Sequence, residues 1–416
     1  MTSLLASLGV PERLRTFEAT HRAARARLET IVPAAYARSR NALDGAVTGL
    51  SPYLTHGLLS LPDAARAVHG RHPLGFDDKL VFEFGWREFF HHVWAHQKNP
   101  DAILQDMHGS LPWHGTYAEE LPLDIRHGAT GVPAIDNAVR VLYATGYLHN
   151  HMRMWLASYV VHVRKVHWRA GADWLYGHLL DGDLPSNHLS WQWVAGTFSS
   201  KPYLFNAENV LRYAPANARA AWDSSGTVID QSYEALDNLA RNRSAIKAEL
   251  GSHTEAKEPA LLSHFYPLNS DEAQLIGASA AITNVANKDV ELVHPWSLSE
   301  RRTGAASSDH LRIGIIHLPA HQAWPWSEKR WRFVLDAMAE VTDRIWMGDL
   351  NQLDLTAAAN VSAQACLFPG YRQALARLAT LTPAPQLLPD PSMACRSFSK
   401  FYERARRDVS AFADLL

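Results

Sequence analysis

The spacing of apolar residues is the sequence feature that most constrains the fold of this chain. From residue 50 to about 215 they recur every three or four positions, which predicts one helix after another. Residues 1–30 show the same spacing and are predicted to form one helix, and Asn150 to Val166 are predicted to form another. Gly146 stands where a helix ending at Thr145 would need its cap. We find no convincing strand before residue 280. The first half of the chain is therefore predicted to be helical.

The periodicity changes towards the C-terminus. LRIGIIHLP (311–319) is typical of a buried strand, Ser327 can cap a following helix, and RIWMGDL (344–350) is typical of a second strand. Polar stretches within 240–310 are typical of linkers and surface excursions. We therefore predict a mainly α protein with a small C-terminal α/β region. Its expected parts are a helical domain at 1–240, an irregular linker at 241–310 and an α/β region at 311–416.

Composition narrows the classes of function. The net charge of −2 gives no general argument for nucleic-acid binding, and only a local basic groove would support it. Two cysteines, Cys366 and Cys395, cannot hold an iron–sulfur cluster. No apolar run approaches the roughly 20 residues of a membrane span. The N-terminus also lacks a signal-peptide pattern, so a cytoplasmic location without a membrane partner is predicted.

Four motifs along the chain are distinctive: GLSPYL (49–54), FEFGWREFF (82–90), TGYLHNHMRM (145–154) and DGDLPSNHLSWQW (181–193). With the surrounding segment 131–206 they resemble the flavin-binding domain of DNA photolyases and cryptochromes over roughly residues 30–215. The resemblance implies the helical fold of that family and FAD as the cofactor. The family normally places an antenna-binding α/β domain before this domain. Since only about 30 residues precede the match, we expect that domain to be missing.

The resemblance also implies the residues that hold FAD. Thr48, Leu50 and Ser51 match the loop at the flavin diphosphate, where hydroxyls and backbone N–H groups near a helix start suit an anion. Helix capping alone is the alternative interpretation. A DGD turn on its own is more often an exposed turn. The remaining implied contacts are Tyr36 at the flavin side chain, Arg153 paired with Asp181, the turn residues Gly182 and Asp183, and Asn187 facing flavin N5.

Three tryptophans match the family's electron-transfer chain, which relays an electron from the surface to photoexcited flavin. Trp191 and Trp168 fall on the expected positions. Trp113 lies within two residues of the third, and plain core packing is the alternative for it. The chain contains 14 tryptophans, so many of them, Trp155 included, are expected to be core residues.

Glu83, Trp86 and Arg87 are spaced i, i+3, i+4 and so share one helix face. By resemblance this face meets a flipped pyrimidine dimer, with Trp86 stacking on it and Glu83 hydrogen-bonding to it. Asn150 stands where enzymes for the (6-4) photoproduct carry His, which indicates cyclobutane dimers. Core packing is the alternative for Trp193. The further implied lesion contacts are Asn150, His151, Met154 and Trp193.

His92 and His96, at i and i+4, form a candidate metal-ligand pair. No acidic or sulfur ligand follows at a recognised spacing, and chance pairs are expected among 22 histidines. No metal site is predicted.

Together these features predict light-dependent repair of cyclobutane pyrimidine dimers in DNA by electron transfer from reduced FAD. Glu83, Asn150 and the three tryptophans would be its catalytic residues, and damaged DNA its partner. The alternative is a cryptochrome-like blue-light photoreceptor that signals to a protein partner through the C-terminal region. A flavoprotein with no use for light is a third hypothesis, against which the retained lesion residues argue.

Overall fold

The computed structural model describes residues 2–242, 256–265, 275–276, 285–301 and 309–416. Within these ranges the α-helices are α1 (Thr2–Ser7), α2 (His21–Glu29), α3 (Pro33–Ser39), α4 (Ser51–Thr55), α5 (Leu61–His69), α6 (Lys79–Ala95), α7 (Leu123–Arg126), α8 (Pro133–Thr145), α9 (Asn150–Ser158), α10 (Trp168–His178), α11 (Leu184–Ala195), α12 (Ala207–Tyr213), α13 (Arg219–Trp222), α14 (Tyr233–Arg241), α15 (Leu318–Ala323), α16 (Glu328–Val341), α17 (Tyr371–Leu378) and α18 (Phe398–Ala405).

The strands in the described ranges are β1 (Leu261–Leu262), β2 (Leu275–Ile276), β3 (Asp289–Val293), β4 (His310–His317), β5 (Trp326–Ser327), β6 (Arg344–Gly348), β7 (Asn360–Gln364) and β8 (Thr380–Thr382). Short 3-10 helices lie at Glu12–Leu14, Pro100–Leu104, Ala216–Ala218, Leu350–Gln352 and Phe412–Leu415, with a π-helical turn at Tyr159–Val163. The prediction of a mainly α chain with a C-terminal α/β region is confirmed. No helix in the described part is both long and apolar enough to span a membrane.

The chain divides into two compact units. The first comprises Met1–Phe17, Val32–Gly49 and Gln97–Ala260, and the second comprises Glu18–Ile31, Leu50–His96 and Leu261–Leu416. Each unit thus includes part of the predicted helical domain 1–240. The boundaries 1–240, 241–310 and 311–416 remain a prediction, and residues 243–255, 266–274, 277–284 and 302–308 of the expected linker lie outside the described residues.

The first unit is built from helices around one apolar core. Trp155 and Trp168 are fully buried in that core, as was expected for Trp155. Helix α8 ends as predicted, because Gly146 adopts a left-handed φ of 69° and its N–H bonds to the carbonyl of Leu142. The helix expected from Asn150 onward stops being α-helical at Ser158 and continues as the π-helical turn.

The prediction of a single helix over residues 1–30 is wrong. Helix α1 ends at Ser7, and Gly9 with a φ of 69° and Pro11 then interrupt the helical pattern. A new helix, α2, starts only at His21, where the side chain of Thr20 accepts a hydrogen bond from the N–H of Ala23 at 3.1 Å. The spacing of apolar residues alone did not predict these two interruptions of the helix.

The second unit contains a six-stranded sheet in the order β2-β6-β4-β3-β7-β8, in which every pairing is parallel. The predicted β4–α16–β6 unit is confirmed, and Ser327 caps α16 by accepting from the N–H of Arg330. From β3 the chain adds strands first on one side and then on the other, the order of doubly wound α/β sheets. The expectation of no strand before residue 280 is wrong, because the two-residue strands β1 and β2 precede it.

Candidate functional site

Several hydrogen bonds of the predicted flavin site lie at the start of helix α11. Asp183 caps the helix, since its Oδ2 accepts from the backbone N–H of Ser186 at 3.2 Å and also from the Ser186 hydroxyl. Asp181 and Asp183 are only 5% and 6% exposed. The alternative of an exposed DGD turn is therefore wrong, and two carboxylates and a helix N-terminus meet in the interior of the first unit.

Arg153 of helix α9 supplies the counter-charge to this turn. Its Nη2 lies 2.7 Å from Oδ2 of Asp181, and its Nε donates to the carbonyl of Leu148 at 2.9 Å. The guanidinium also lies 5.5 Å from the ring centre of Tyr147. The ion pair that the resemblance implied is thus present, while its contact with a flavin remains a prediction.

Asn187 has one defined orientation. Its side-chain Nδ2 donates to the carbonyl of Ala172 at 2.8 Å, which fixes the amide because a carbonyl can only accept. Within the described residues the side-chain oxygen of Asn187 has no hydrogen-bond partner. The open group of this amide is therefore an acceptor, suited to a ligand N–H.

The other predicted FAD contacts lie in both units. Tyr36 on α3 and Thr48 are half-buried in the first unit, and Leu50 and Ser51 open helix α4 in the second. Leu50 is buried, and Gly49 before it has a φ of 63°, so the loop turns sharply at this glycine. Diphosphate binding by this loop remains a prediction.

Trp191 and Trp168 lie on the adjacent helices α11 and α10 of the first unit and are almost fully buried. Gly171 allows this packing, because a Cβ there would lie 2.3 Å from Cη2 of Trp191. Trp113 is half-buried against the same core. Trp193 is 38% exposed, so the core interpretation of that residue is wrong.

The predicted lesion face lies on helix α6 of the second unit. Glu83, Trp86 and Arg87 are all half-buried there. The indole of Trp86 stacks on the ring of Phe398 from α18, with centroids 4.1 Å apart and planes 8° from parallel. Sequence reasoning missed Phe398, and no local signal marked it as a neighbour of Trp86.

The predicted lesion contacts of the first unit lie at the start of helix α9. Asn150 is exposed, and its Nδ2 lies 3.3 Å from the sulfur of Met154. His151 is buried and stacks on Tyr213 at 4.2 Å. Burial, helped by His151, lowers the pKa of His149 to about 3, and burial also lowers the pKa of His151. Both imidazoles beside Asn150 are therefore neutral at pH 7.

The fold brings a third candidate ligand to the histidine pair. Asp390 Oδ1 lies 2.5 Å from Nδ1 of His92, and His96 completes a cluster whose ligand atoms lie within 4.8 Å of one another. However, Nε2 of His92 accepts a hydrogen bond from the backbone N–H of Cys395 at 2.9 Å. The proton of the neutral ring is therefore on Nδ1, which donates a hydrogen bond to Asp390. The hydrogen bonds of His92 thus leave it no lone pair for a metal.

Glu88 is a second residue that sequence reasoning missed. Its carboxyl oxygens accept the backbone N–H groups of Leu387 at 2.6 Å and Leu388 at 2.8 Å, which ties helix α6 to the C-terminal segment of the same unit. Burial raises the pKa of Glu88 to about 7 against the opposing effect of these two hydrogen bonds.

Comparison with known proteins gives matches within the helical part of the chain. Residues 80–270 match the family model described as "FAD binding domain of DNA photolyase". The chain is 36% identical to the deoxyribodipyrimidine photo-lyase of Streptomyces griseus over 152 residues, 36% of this chain and 32% of that protein. It is 35% identical to a deoxyribodipyrimidine photo-lyase of Thermus thermophilus over 205 residues, 48% of this chain and 47% of that protein. The chain thus spans a third to a half of the length of these relatives.

Solved structures give weaker likenesses. A cryptochrome from Synechocystis sp. PCC6803 is 26% identical with a TM-score of 0.42, covering 50% of this chain and 46% of that chain. A class III photolyase from Agrobacterium tumefaciens is 24% identical with a TM-score of 0.41, covering 53% of this chain and 54% of that chain.

The chemistry of the first unit fits FAD. A flavin ring presents both N–H groups and carbonyl oxygens along one edge, and therefore needs acceptors and donors together. Arg153 supplies a guanidinium, Asp181 and Asp183 supply carboxylates, and Asn187 supplies an open carbonyl. All four side chains belong to one unit, so the unit can hold this part of the cofactor with its own residues.

Proposed function

We propose, from the premise that residues 80–270 belong to the FAD-binding domain family of DNA photolyases, that the protein repairs cyclobutane pyrimidine dimers in DNA under blue or near-UV light. Bound FAD would supply a light-absorbing one-electron donor. The observation that carries the proposal is the orientation of Asn187 inside the matched region. Because Ala172 holds its N–H, its oxygen is the group that faces a ligand, and an acceptor favours the reduced cofactor, which bears a proton at N5.

Trp191 and Trp168 would keep the cofactor reduced. Their burial on the packed helices α10 and α11 supports an electron relay, since tunnelling between indoles weakens steeply with distance. Gly171 would act as a positioning residue by letting the backbone of α10 lie against the ring of Trp191.

Glu83, Trp86 and Arg87 would act on the DNA lesion. Glu83 would hydrogen-bond to the dimer and stabilise the charge that develops on it, and Trp86 would stack on its bases. Phe398 covers one face of Trp86, so stacking on a dimer would use the other face. Asn150 and Met154 would contribute an amide and an apolar contact, and the neutral His149 and His151 support cyclobutane dimers over a reaction that needs an imidazolium acid.

A blue-light photoreceptor is the second candidate, and one observation favours it. Phe398 belongs to the C-terminal α18, and its ring lies flat on Trp86 of the predicted lesion helix. A C-terminal region that contacts this helix could pass a change at Trp86 to a protein partner. The retained lesion residues Glu83, Asn150 and Met154 favour repair.

Repair of a thymine-dimer oligonucleotide under blue light, with a dark control and an undamaged oligonucleotide, tests the proposal. The FAD content of the purified protein is measured first by absorbance of the released cofactor. Light-dependent loss of dimers supports repair. Bound FAD with normal photochemistry and no dimer loss would favour the photoreceptor function. A folded protein that takes up no FAD would refute both the repair and the photoreceptor function.

A further inference from the structure

The indole of Trp168 is hydrogen-bonded to a carboxylate. Its Nε1 donates to Oδ1 of Asp106 at 2.7 Å, the length of a charge-assisted hydrogen bond. The ring of Trp168 is fully buried, whereas Asp106 is exposed to solvent. The carboxylate therefore connects a buried indole N–H directly to water. Sequence reasoning gave Asp106 no role.

Asp106 is held in this position by its own loop. The N–H of Met107 donates to Oε1 of Gln192 at 3.0 Å, and Nε2 of Gln192 donates to the carbonyl of Ile103 at 2.8 Å. The N–H of Gly109 also donates to the carbonyl of Thr197 at 2.9 Å. Hydrogen bonds on both sides of Asp106 thus fix the loop to α11 and the residues that follow it.

The surroundings of Trp113 have the opposite charge. The ammonium of Lys165 lies 5.9 Å from the ring centre of Trp113 and is anchored there by the carbonyls of His162, Leu239 and Ala240 at 2.7–2.8 Å. Burial lowers the pKa of Lys165 to about 8, so it is still mostly protonated at pH 7. A fixed positive charge opposes loss of an electron from Trp113, and the carboxylate at Trp168 favours such a loss.

We propose that Asp106 is the proton acceptor for Trp168 when this tryptophan gives up an electron during light-driven reduction of the cofactor. The electron leaves through Trp191. The Nε1–H bond of oxidised Trp168 then breaks, its electron pair stays on nitrogen, and the proton forms an O–H bond on Asp106. A neutral tryptophan radical and a neutral carboxyl group result, and the carboxyl group passes its proton to water. Loss of the proton stabilises the neutral radical at Trp168, so that the electron given to the cofactor does not return to this tryptophan. This inference rests on the proposed function.

The hydrogen bond itself is tested without light. In protein labelled with 15N-tryptophan, Trp168→Phe identifies the Trp168 indole resonance among the 14 tryptophans. We expect its proton far downfield, with a clear upfield shift in Asp106→Asn, because a neutral amide oxygen is a weaker acceptor. Asp101→Asn, an exposed residue of the same segment, is the matched control and is expected to leave the resonance in place. An unshifted resonance in Asp106→Asn would overturn the inference.

Proton transfer is tested by transient absorption of the FAD-loaded protein, which distinguishes protonated from deprotonated tryptophan radicals by band shape. We expect the deprotonated radical in the unmodified protein and in Asp101→Asn. In Asp106→Asn its formation should slow by on the order of 100-fold, the scale of a removed proton acceptor. Deprotonation at an unchanged rate in Asp106→Asn would overturn this inference alone. The absence of any tryptophan radical would overturn it together with the proposed photochemistry.

Discussion

Nη2 of Arg153 lies 2.7 Å from Oδ2 of Asp181, and this ion pair joins helix α9 to the turn that opens helix α11. The Asp181 side chain is 2% exposed and that of Arg153 is 26% exposed. A carboxylate this deeply buried depends on its partner, since removing one member of a buried pair leaves an uncompensated charge.

We expect Arg153→Leu to lose about 2 kcal/mol of unfolding free energy, below the full cost of a completely buried pair because Arg153 is partly solvated. The FAD content of the purified variant should also fall. Urea unfolding and the absorbance of released FAD measure both quantities. Arg212→Leu breaks an exposed pair with Glu208 and is the matched control, for which a change of less than about 0.5 kcal/mol is expected. Equal effects of the two variants would contradict the role of Arg153.

Gly171→Ala should destabilise the first unit. The new Cβ would lie 2.3 Å from Cη2 and 2.4 Å from Cζ3 of the buried Trp191, and overpacking of this kind costs about 1–3 kcal/mol. Gly70→Ala is the control, because its Cβ would meet its nearest atom at 3.5 Å and its φ is −61°. Gly70→Ala should be neutral or slightly stabilising in urea unfolding. A neutral Gly171→Ala would show that α10 and Trp191 can move apart.

Trp191→Phe should remove most of the light-driven reduction of FAD in the presence of a thiol, because it deletes the indole that would donate the electron. The phenyl ring still fills the buried position, so the fold should be kept. Trp222→Phe is the matched control, since Trp222 is fully buried in the same unit and has no proposed electron-transfer role. Absorbance of the flavin during illumination measures both variants. Unchanged reduction in Trp191→Phe would show that electrons arrive by another route.

Glu83→Gln separates repair from signalling. It removes the carboxyl group, but the amide of glutamine can still donate a hydrogen bond to the dimer, so the effect should be smaller than the about 2.7–4 kcal/mol typical of a lost contact to a developing charge. Repair yield per absorbed photon should drop several-fold, while FAD content and photoreduction stay normal. Glu403→Gln, an exposed residue of the same unit, should have no effect. Full repair by Glu83→Gln would remove Glu83 from the mechanism.

Glu88 should make the stability of the second unit depend on pH. Its pKa is raised from 4.5 to about 7 in the folded state, so between these values the folded protein holds a proton that the unfolded chain releases. Unfolding free energy should therefore fall as pH rises from about 4.5 to about 7, by at most roughly 3.5 kcal/mol at about 1.4 kcal/mol per pKa unit.

Glu88→Gln cannot ionise and should lose this part of the pH dependence. Urea unfolding at pH 5 and pH 8 for both proteins isolates the contribution of this carboxyl group, since all other titrating groups are shared. An identical difference between the two pH values in both proteins would show that the environment of Glu88 does not shift its titration.

Much of the local structure was predictable because its causes are local. The left-handed glycine after Thr145, the Ser327 cap and the β4–α16–β6 unit all follow from residues a few positions apart. The N-terminal prediction was wrong for a related reason, since the turn at Gly9 and Pro11 overrides a helical spacing of apolar residues.

The sequence by itself determined the helical character of the first half, the α/β end and the motifs that indicate an FAD-binding region, since short-range patterns encode them. Tertiary structure alone decided the strand order of the sheet and the partners of the functional side chains. Asp106 reaches Trp168 across 62 positions, and Asp390 reaches His92 across 298. Such contacts depend on how whole helices and loops pack against one another. The local spacing of residues does not predict which distant side chain will make the contact.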